Sequence, residues 1–185
     1  VNDLPTLAGI SDLAIDEDAP EQTVNLTGIT AGGGETQPLR VTASSNNTNL
    51  VPNPVVTYTS ANTSGSIKFT PITDATGSAV ITVSVEDGGS DGDLSTSGDN
   101  ATTSQTFTLT VNAVNDLPTL AAISDLTIDE DAPEQTVNLS GITAGGGETQ
   151  PLAVTAVSSN VSLIADPTVV YSSAAATGKL KFTPL

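Results

Sequence analysis

The chain repeats itself without a gap. Residues 1–72 lie over 114–185 at a constant offset of 113, and 52 of those 72 positions are identical. "VNDLPTL" stands at 1–7 and 114–120, "IDEDAPEQTVNL" at 15–26 and 128–139, and "GITAGGGETQPL" at 28–39 and 141–152. Stacked solenoid units run about 20–50 residues, so this period is too long for one and suits tandem domains of about 100 residues. The expected organisation is a complete repeat over residues 1–113 and a second copy over 114–185.

The residues available for a core set the fold class. Apolar residues make up 37% of the 185, but aromatics only 3%, so a core must be built from Val, Ile, Leu, Ala and Thr. The β-branched members favour strands and disfavour helices. Sixteen Gly and eleven Pro interrupt the chain too often for a long helix. Seven short strands are expected per repeat, near Leu13–Ile15, Thr23–Ile29, Leu39–Ala43, Val55–Thr59, Ser66–Thr70, Ala79–Glu86 and Gln105–Val111. "AVITVSVE" and "QTFTLTV" alternate strictly, as half-buried strands do. "AGGGETQP", "TDATG" and "DGGSDGD" carry turn chemistry between strands. The predicted fold is all-β, with tandem Greek-key β-sandwiches. The second copy supplies sequence for five of the seven strands and lacks those corresponding to Ala79–Glu86 and Gln105–Val111. A sandwich without them would expose its core and an unpaired edge, so the copy is expected to belong to a longer array. No run approaches the roughly 18–20 apolar residues of a membrane span, and no signal peptide is visible, which reads as a mature chain or an internal fragment.

Charge and missing residue types narrow the chemistry. Twenty-one acids against four bases give a net charge of −17, which excludes nucleic acid as a partner, since that needs a basic surface. Cys and His are both absent, which removes disulfides, thiolate and Ser-His-Asp catalysis, and the commonest transition-metal ligands. The remaining metal ligands are oxygens, a set that suits Ca2+ better than magnesium. The Gly32–Gly34 run is followed by neither a helix nor a Lys and is no phosphate loop. Paired carboxylates could serve a glycosidase, but a small sandwich with tight loops offers no substrate cleft, and the chain is expected not to be an enzyme.

The order of strands gathers the acids. In a seven-strand sandwich the turns after strands one and five share an end, which brings Glu17 and Asp18 toward Asp74. The link between repeats, with Asn115 and Asp116, leaves from that end, and Glu148 of the next repeat is expected to face back toward it. Carboxylates this close repel by about 1 kcal/mol per pair even in water, and a divalent cation turns that repulsion into ligation. Plainer readings stand beside this one: "IDEDAPE" as a solvated charge run, and Asp116 as a turn cap before Pro118. "DGGSDGD" at Asp87–Asp93 spaces its acids like a calcium loop but lacks the closing Glu of an EF-hand, so Asp87, Asp91 and Asp93 suit either an ion or a hairpin loop.

These phrases carry a family likeness. "NAVNDLP" at 112–118 resembles the linker of cadherin repeats, "DED" at 16–18 sits where those repeats carry a Glu-Asn pair, and "TDATG" at 73–77 where they carry an acidic loop. Along almost its whole length the chain is similar to the cadherin-like, immunoglobulin-like tandem repeats of large bacterial surface proteins and adhesins. That resemblance implies a non-catalytic module of an extracellular, cell-surface protein or fibre. Its partners would be neighbouring repeats, with like chains in a filament or cell-surface glycans and proteins also in view. Calcium would stiffen each junction through Glu17, Asp18, Asp74, Asn115 and Asp116, with Glu148. Ala113 replaces the linker's first Asp, and "AGGGE" replaces an Asp-x-Asp, so one or two ions per junction are expected. The alternative reading is an adhesion module that binds carbohydrate or protein directly. Sugar sites usually offer aromatic platforms, and here only Tyr58, Tyr171 and three Phe are available.

Overall fold

A computed structural model describes residues 2–185. The chain divides into two compact units, Val1–Val114 and Asn115–Leu185. Unit 1 contains seven strands: β1 Leu13–Asp16, β2 Gln22–Thr27, β3 Leu39–Ser45, β4 Val55–Thr57, β5 Ser64–Phe69, β6 Gly77–Asp87 and β7 Thr102–Asn112. They fall on the seven stretches expected from alternation, with bounds shifted by up to three residues. One sheet has the order β1-β7-β6-β3 and the other β2-β5-β4.

Alternation decides which side chains point inward. β6 turns Ala79, Ile81, Val83 and Val85 to the core, and β7 contributes Phe107, Leu109 and Val111. Leu26, Ile67 and Phe69 face them from the second sheet, and Leu7, Ile29, Leu50 and Val51 close the core from the connections. Unit 1 is therefore a β-sandwich whose β-branched and Leu side chains do the work that aromatics do elsewhere. Pairing is antiparallel except that β1 runs parallel to β7, from Leu13↔Leu109 to Asp16↔Asn112. Lys68 lies outside the core, where alternation places it, and its Nζ is 2.8 Å from Glu21. Both partners are solvated, so the pair contributes about 0–1 kcal/mol.

Unit 2 corrects the expectation of five strands. It has three: β8 Gln135–Leu139, β9 Thr168–Val170 and β10 Gly178–Phe182, in the order β8-β10-β9 that copies β2-β5-β4. Leu126–Asp129 and Leu152–Ser158 repeat the β1 and β3 sequences almost letter for letter but form no strand. The reason lies in the pairing. In unit 1, β1 bonds only to β7 and β3 only to β6, and the positions that would copy β6 and β7 lie beyond residue 185. A strand without a neighbour has no ladder to join, whatever its residues favour.

Candidate metal centre

The acids at the end of unit 1 are set by the register of β1 and β7. Where β1 stops, the Glu17 amide donates to the Asn112 carbonyl at 3.0 Å, and a turn returns the Ala19 amide to the Asp16 carbonyl at 3.1 Å. Glu17 is only 2% exposed, and its Oε1 accepts the Val114 amide at 2.8 Å. The end of unit 1 is thus tied to the turn that carries Asp18. Asp74 sits in the β5–β6 connection with φ 58°, a left-handed conformation that Asp tolerates better than most residues. Carboxylate oxygens of the exposed Asp18 and Asp74 lie within 4.8 Å of one another. The ligands expected in unit 1 thus resolve into an exposed Asp pair, Asp18 and Asp74, and a buried Glu17.

In unit 2, Asn115, Asp116 and Glu148 come together. The Asp116 amide donates to Glu148 Oε2 at 3.0 Å, and Gln150 Nε2 donates both to Glu148 Oε2 at 2.9 Å and to Asn115 Oδ1 at 3.0 Å. Unit 1 has the same clasp. The Asp3 amide donates to Glu35 Oε2 at 3.0 Å, and Gln37 Nε2 bridges Glu35 Oε2 and Asn2 Oδ1 at 3.1 and 2.5 Å. The Asn-Asp-x-Pro phrase therefore seats on the glycine-rich loop of the repeat that it opens. A Cβ at Gly33 would lie 1.9 Å from Asp3 Oδ2, and one at Gly146 would lie 1.7 Å from Asp116 Oδ2, both at positive φ. Gly33→Ala should open the clasp in unit 1, with about 1 kcal/mol lost from the strained φ alone. Hydrogen exchange at the Asp3 amide reads this out: faster exchange than in the parent chain is expected.

The glutamines carried no obvious signal in the sequence. Their clue is that "GGGETQPL" recurs unchanged in both copies while nearby surface positions differ, as at Arg40 and Ala153. Each amide donates to two acceptors, a Glu carboxylate oxygen and an Asn amide oxygen, and so ties the Asn-Asp phrase to the glycine-rich loop.

Asp87 belongs to this clasp in unit 1. It is fully buried, and its Oδ1 accepts from the amides of Gly89 and Ala101 and from Asn2 Nδ2, at 2.9–3.0 Å. Asn2 Nδ2 also donates to the Asp99 carbonyl at 3.0 Å. In unit 2 the equivalent Asn115 Nδ2 donates instead to the carbonyl of Asp116 at 2.9 Å. The other acids of the β6–β7 connection cap its turns. Asp91 accepts from the Asp93 amide and Thr96 Oγ1, and Asp93 accepts from the Ser95 amide and hydroxyl. The Ser95 amide first, and then its hydroxyl, hold the Asp93 carboxyl below its usual range.

Arg40 holds Glu86 below the ordinary carboxylate range through its hydrogen bonds, and Asn100 adds to this. A carboxyl lowered in the fold stabilises it above its unfolded pKa, about 4.3, and that contribution is lost as the pH falls through the lower folded value. The melting-temperature gap between the parent chain and Glu86→Gln should therefore be present at pH 7 and close below about pH 4. A gap that is unchanged at pH 3 would contradict this.

No family model matches the chain, and no curated protein sequence matches it. Among solved structures it is similar to titin domains Z1Z2 in complex with telethonin, at 11% identity and a TM-score of 0.39, over all of this chain and 84% of that one. It is also similar to domains 1–6 of the surface-layer protein SbsC, at 15% identity and a TM-score of 0.37, over 97% of this chain and 22% of that one. For domains 4–9 of SbsC the identity is 14% and the TM-score 0.35, over 27% of that chain's length. The chain thus spans about a quarter of these SbsC chains. Among the described residues, no helix is long and apolar enough to cross a membrane.

Proposed function

We propose that the chain is a non-catalytic structural repeat module of an extracellular surface protein, adhesin or fibre, and that calcium rigidifies the junction between its repeats. The ligands in this reading are Glu17, Asp18, Asp74, Asn115 and Asp116, with Glu148. The observation that carries it is the end of unit 1. A buried Glu17 holds the Val114 amide in the turn whose next residue, Asp18, approaches Asp74. Asn115 and Asp116 follow Val114 directly in sequence. The donor chemistry suits calcium, which takes six to eight oxygens from carboxylates, amides and carbonyls. Carboxylate oxygens have two lone pairs each, so the bonds from Gln150 and from Val114 leave Glu148 and Glu17 able to ligate.

Direct recognition of sugars finds less support. Tyr58 packs against the core of unit 1, and its hydroxyl donates to the Asn62 carbonyl at 3.0 Å, so this ring serves the fold. Burial pushes its phenol up from the ordinary value.

Thermal melting in calcium and in chelator tests the proposal. An ion bound only by the folded state adds about 2.7 kcal/mol at a hundredfold excess over Kd. At about 4 °C per kcal/mol, the melting temperature should rise by roughly 10 °C. Superimposable curves would overturn the calcium role.

A further inference from the structure

We propose that the β6–β7 connection carries a site of spontaneous covalent modification, Asp91–Gly92, where aspartate rearranges to isoaspartate through a cyclic imide. This goes beyond the structural role proposed above and does not depend on calcium. The chain contains two Asp-Gly pairs, Asp87–Gly88 and Asp91–Gly92, and no Asn-Gly pair. A glycine lets its own main-chain nitrogen reach the carboxyl of the preceding aspartate, because no Cβ stands in the way. By sequence the two pairs are equivalent, and the fold separates them.

Asp87–Gly88 is locked. The Asp87 side chain is fully buried, and its Oδ1 is held by Asn2 Nδ2 and by the amides of Gly89 and Ala101. The nitrogen that would attack it is tied as well, since the Gly88 amide donates to the Pro38 carbonyl at 2.9 Å. The backbone there is also crowded: a Cβ at Gly88 would lie 3.0 Å from the carbonyl carbon of Gly92. Ring closure at Asp87 requires these bonds to open and a buried carboxyl to leave its seat.

Asp91–Gly92 is open on each count. Both residues are exposed, and a Cβ at Gly92 would meet nothing within 4 Å. The Gly92 amide points to the Gly89 carbonyl at 3.4 Å, beyond the usual range of an N–H···O bond, so little holds it. Asp91 Oδ1 accepts the Asp93 amide at 2.9 Å, a turn that folds the carboxyl back over the intervening Gly92 nitrogen. Thr96 Oγ1 donates to the other oxygen, Oδ2, at 2.7 Å, where it stabilises the charge that builds as the nitrogen adds.

The step balances without a co-reactant. The Gly92 nitrogen bonds to Asp91 Cγ, and its proton leaves with the carboxyl hydroxyl as one water. One water then opens the five-membered imide. Opening at the main-chain carbonyl leaves isoaspartate, with the chain routed through the β-carboxyl and lengthened by one carbon. Opening at the other carbonyl restores aspartate. In isoaspartate the remaining carboxylate moves away from the Asp93 amide and Thr96, so this turn loses its cap while β6 and β7 keep their pairing.

The test ages the full 185-residue chain for several weeks in warm, neutral buffer with chelator. Proteolysis and electron-transfer fragmentation then locate isoaspartate. It should accumulate at residue 91 at least about tenfold faster than at residue 87, where the three bonds to Oδ1 and that of the Gly88 amide must open first. In denaturant the two sites should age at comparable rates. Asp91→Glu should remove the product, because a six-membered imide closes far more slowly. Unchanged aspartate at residue 91, or equal accumulation at 87 and 91 in the folded chain, would overturn the proposal. So would a bias toward residue 91 that persists in denaturant, which would assign it to the neighbouring sequence and not to the fold.

Discussion

Expressed alone, residues 115–185 should show no cooperative thermal transition, while residues 2–114 should unfold in a single one. The difference lies in what each unit buries. Among the described residues, the core of unit 1 holds eighteen buried apolar side chains from two sheets. In unit 2 only Leu139, Ile142 and Ala144 reach that degree of burial. Apolar burial stabilises by roughly 25 cal/mol per Å², and domains are stable by only about 5–15 kcal/mol in all. One three-stranded sheet without a covering layer falls short of the conformational entropy it must offset. Circular dichroism during heating checks this directly. A sharp, concentration-independent melt of 115–185 would show that three strands suffice and that the exposed leucines are ordinary surface.

Phe107→Ala should remove most of the stability of unit 1. The ring is 2% exposed in β7, opposite Ile81 of β6, at the centre of the four-stranded sheet. Aromatic-to-alanine changes in cores cost about 3–5 kcal/mol, from lost transfer energy and from the cavity left behind. Phe69 is the other buried aromatic of that core, whose remaining buried members are aliphatic. Urea unfolding of residues 2–114 should show a large fall in midpoint with little change in slope. A loss below about 1 kcal/mol would mean that the two sheets are packed more loosely than their burial indicates.

The sandwich of unit 1 was legible because its strands alternate. "AVITVSVE" and "QTFTLTV" declare their inner faces, and the glycine- and aspartate-rich stretches between strands mark the turns. Direction was not legible: a period of two says which side chains point inward but not that β1 would run parallel to β7. The silence of 126–129 and 152–158 was hidden for a deeper reason. "LTID" and "LAVTAVS" hardly differ from "LAID" and "LRVTASS", so their state is decided by the partner strand and not by their own residues.

The acids divide in the same way. That Asp18 and Asp74 share one end followed from strand order alone. Which acids serve the fold did not follow: Glu17 and Asp87 are both buried and hold backbone amides, although the sequence offered Glu17 as an ion ligand or a member of a solvated run and Asp87 as part of an ion or hairpin loop. The Asn-Asp phrase stood out by repetition, but its seat on the glycine-rich loop needed Gln37 and Gln150, whose amides look like ordinary solvated side chains until the loop is folded.

Calorimetric titration of the chelator-treated chain with calcium tests the central claim most directly. Saturable binding of one or two ions is predicted, weakened by about a hundredfold or more in the Asp18→Asn, Asp74→Asn double variant, since each lost charge removes at least about 1.4 kcal/mol of ion attraction in a partly desolvated site. No heat of binding, or binding that is unchanged in the double variant, would contradict the assignment of calcium to this end of unit 1.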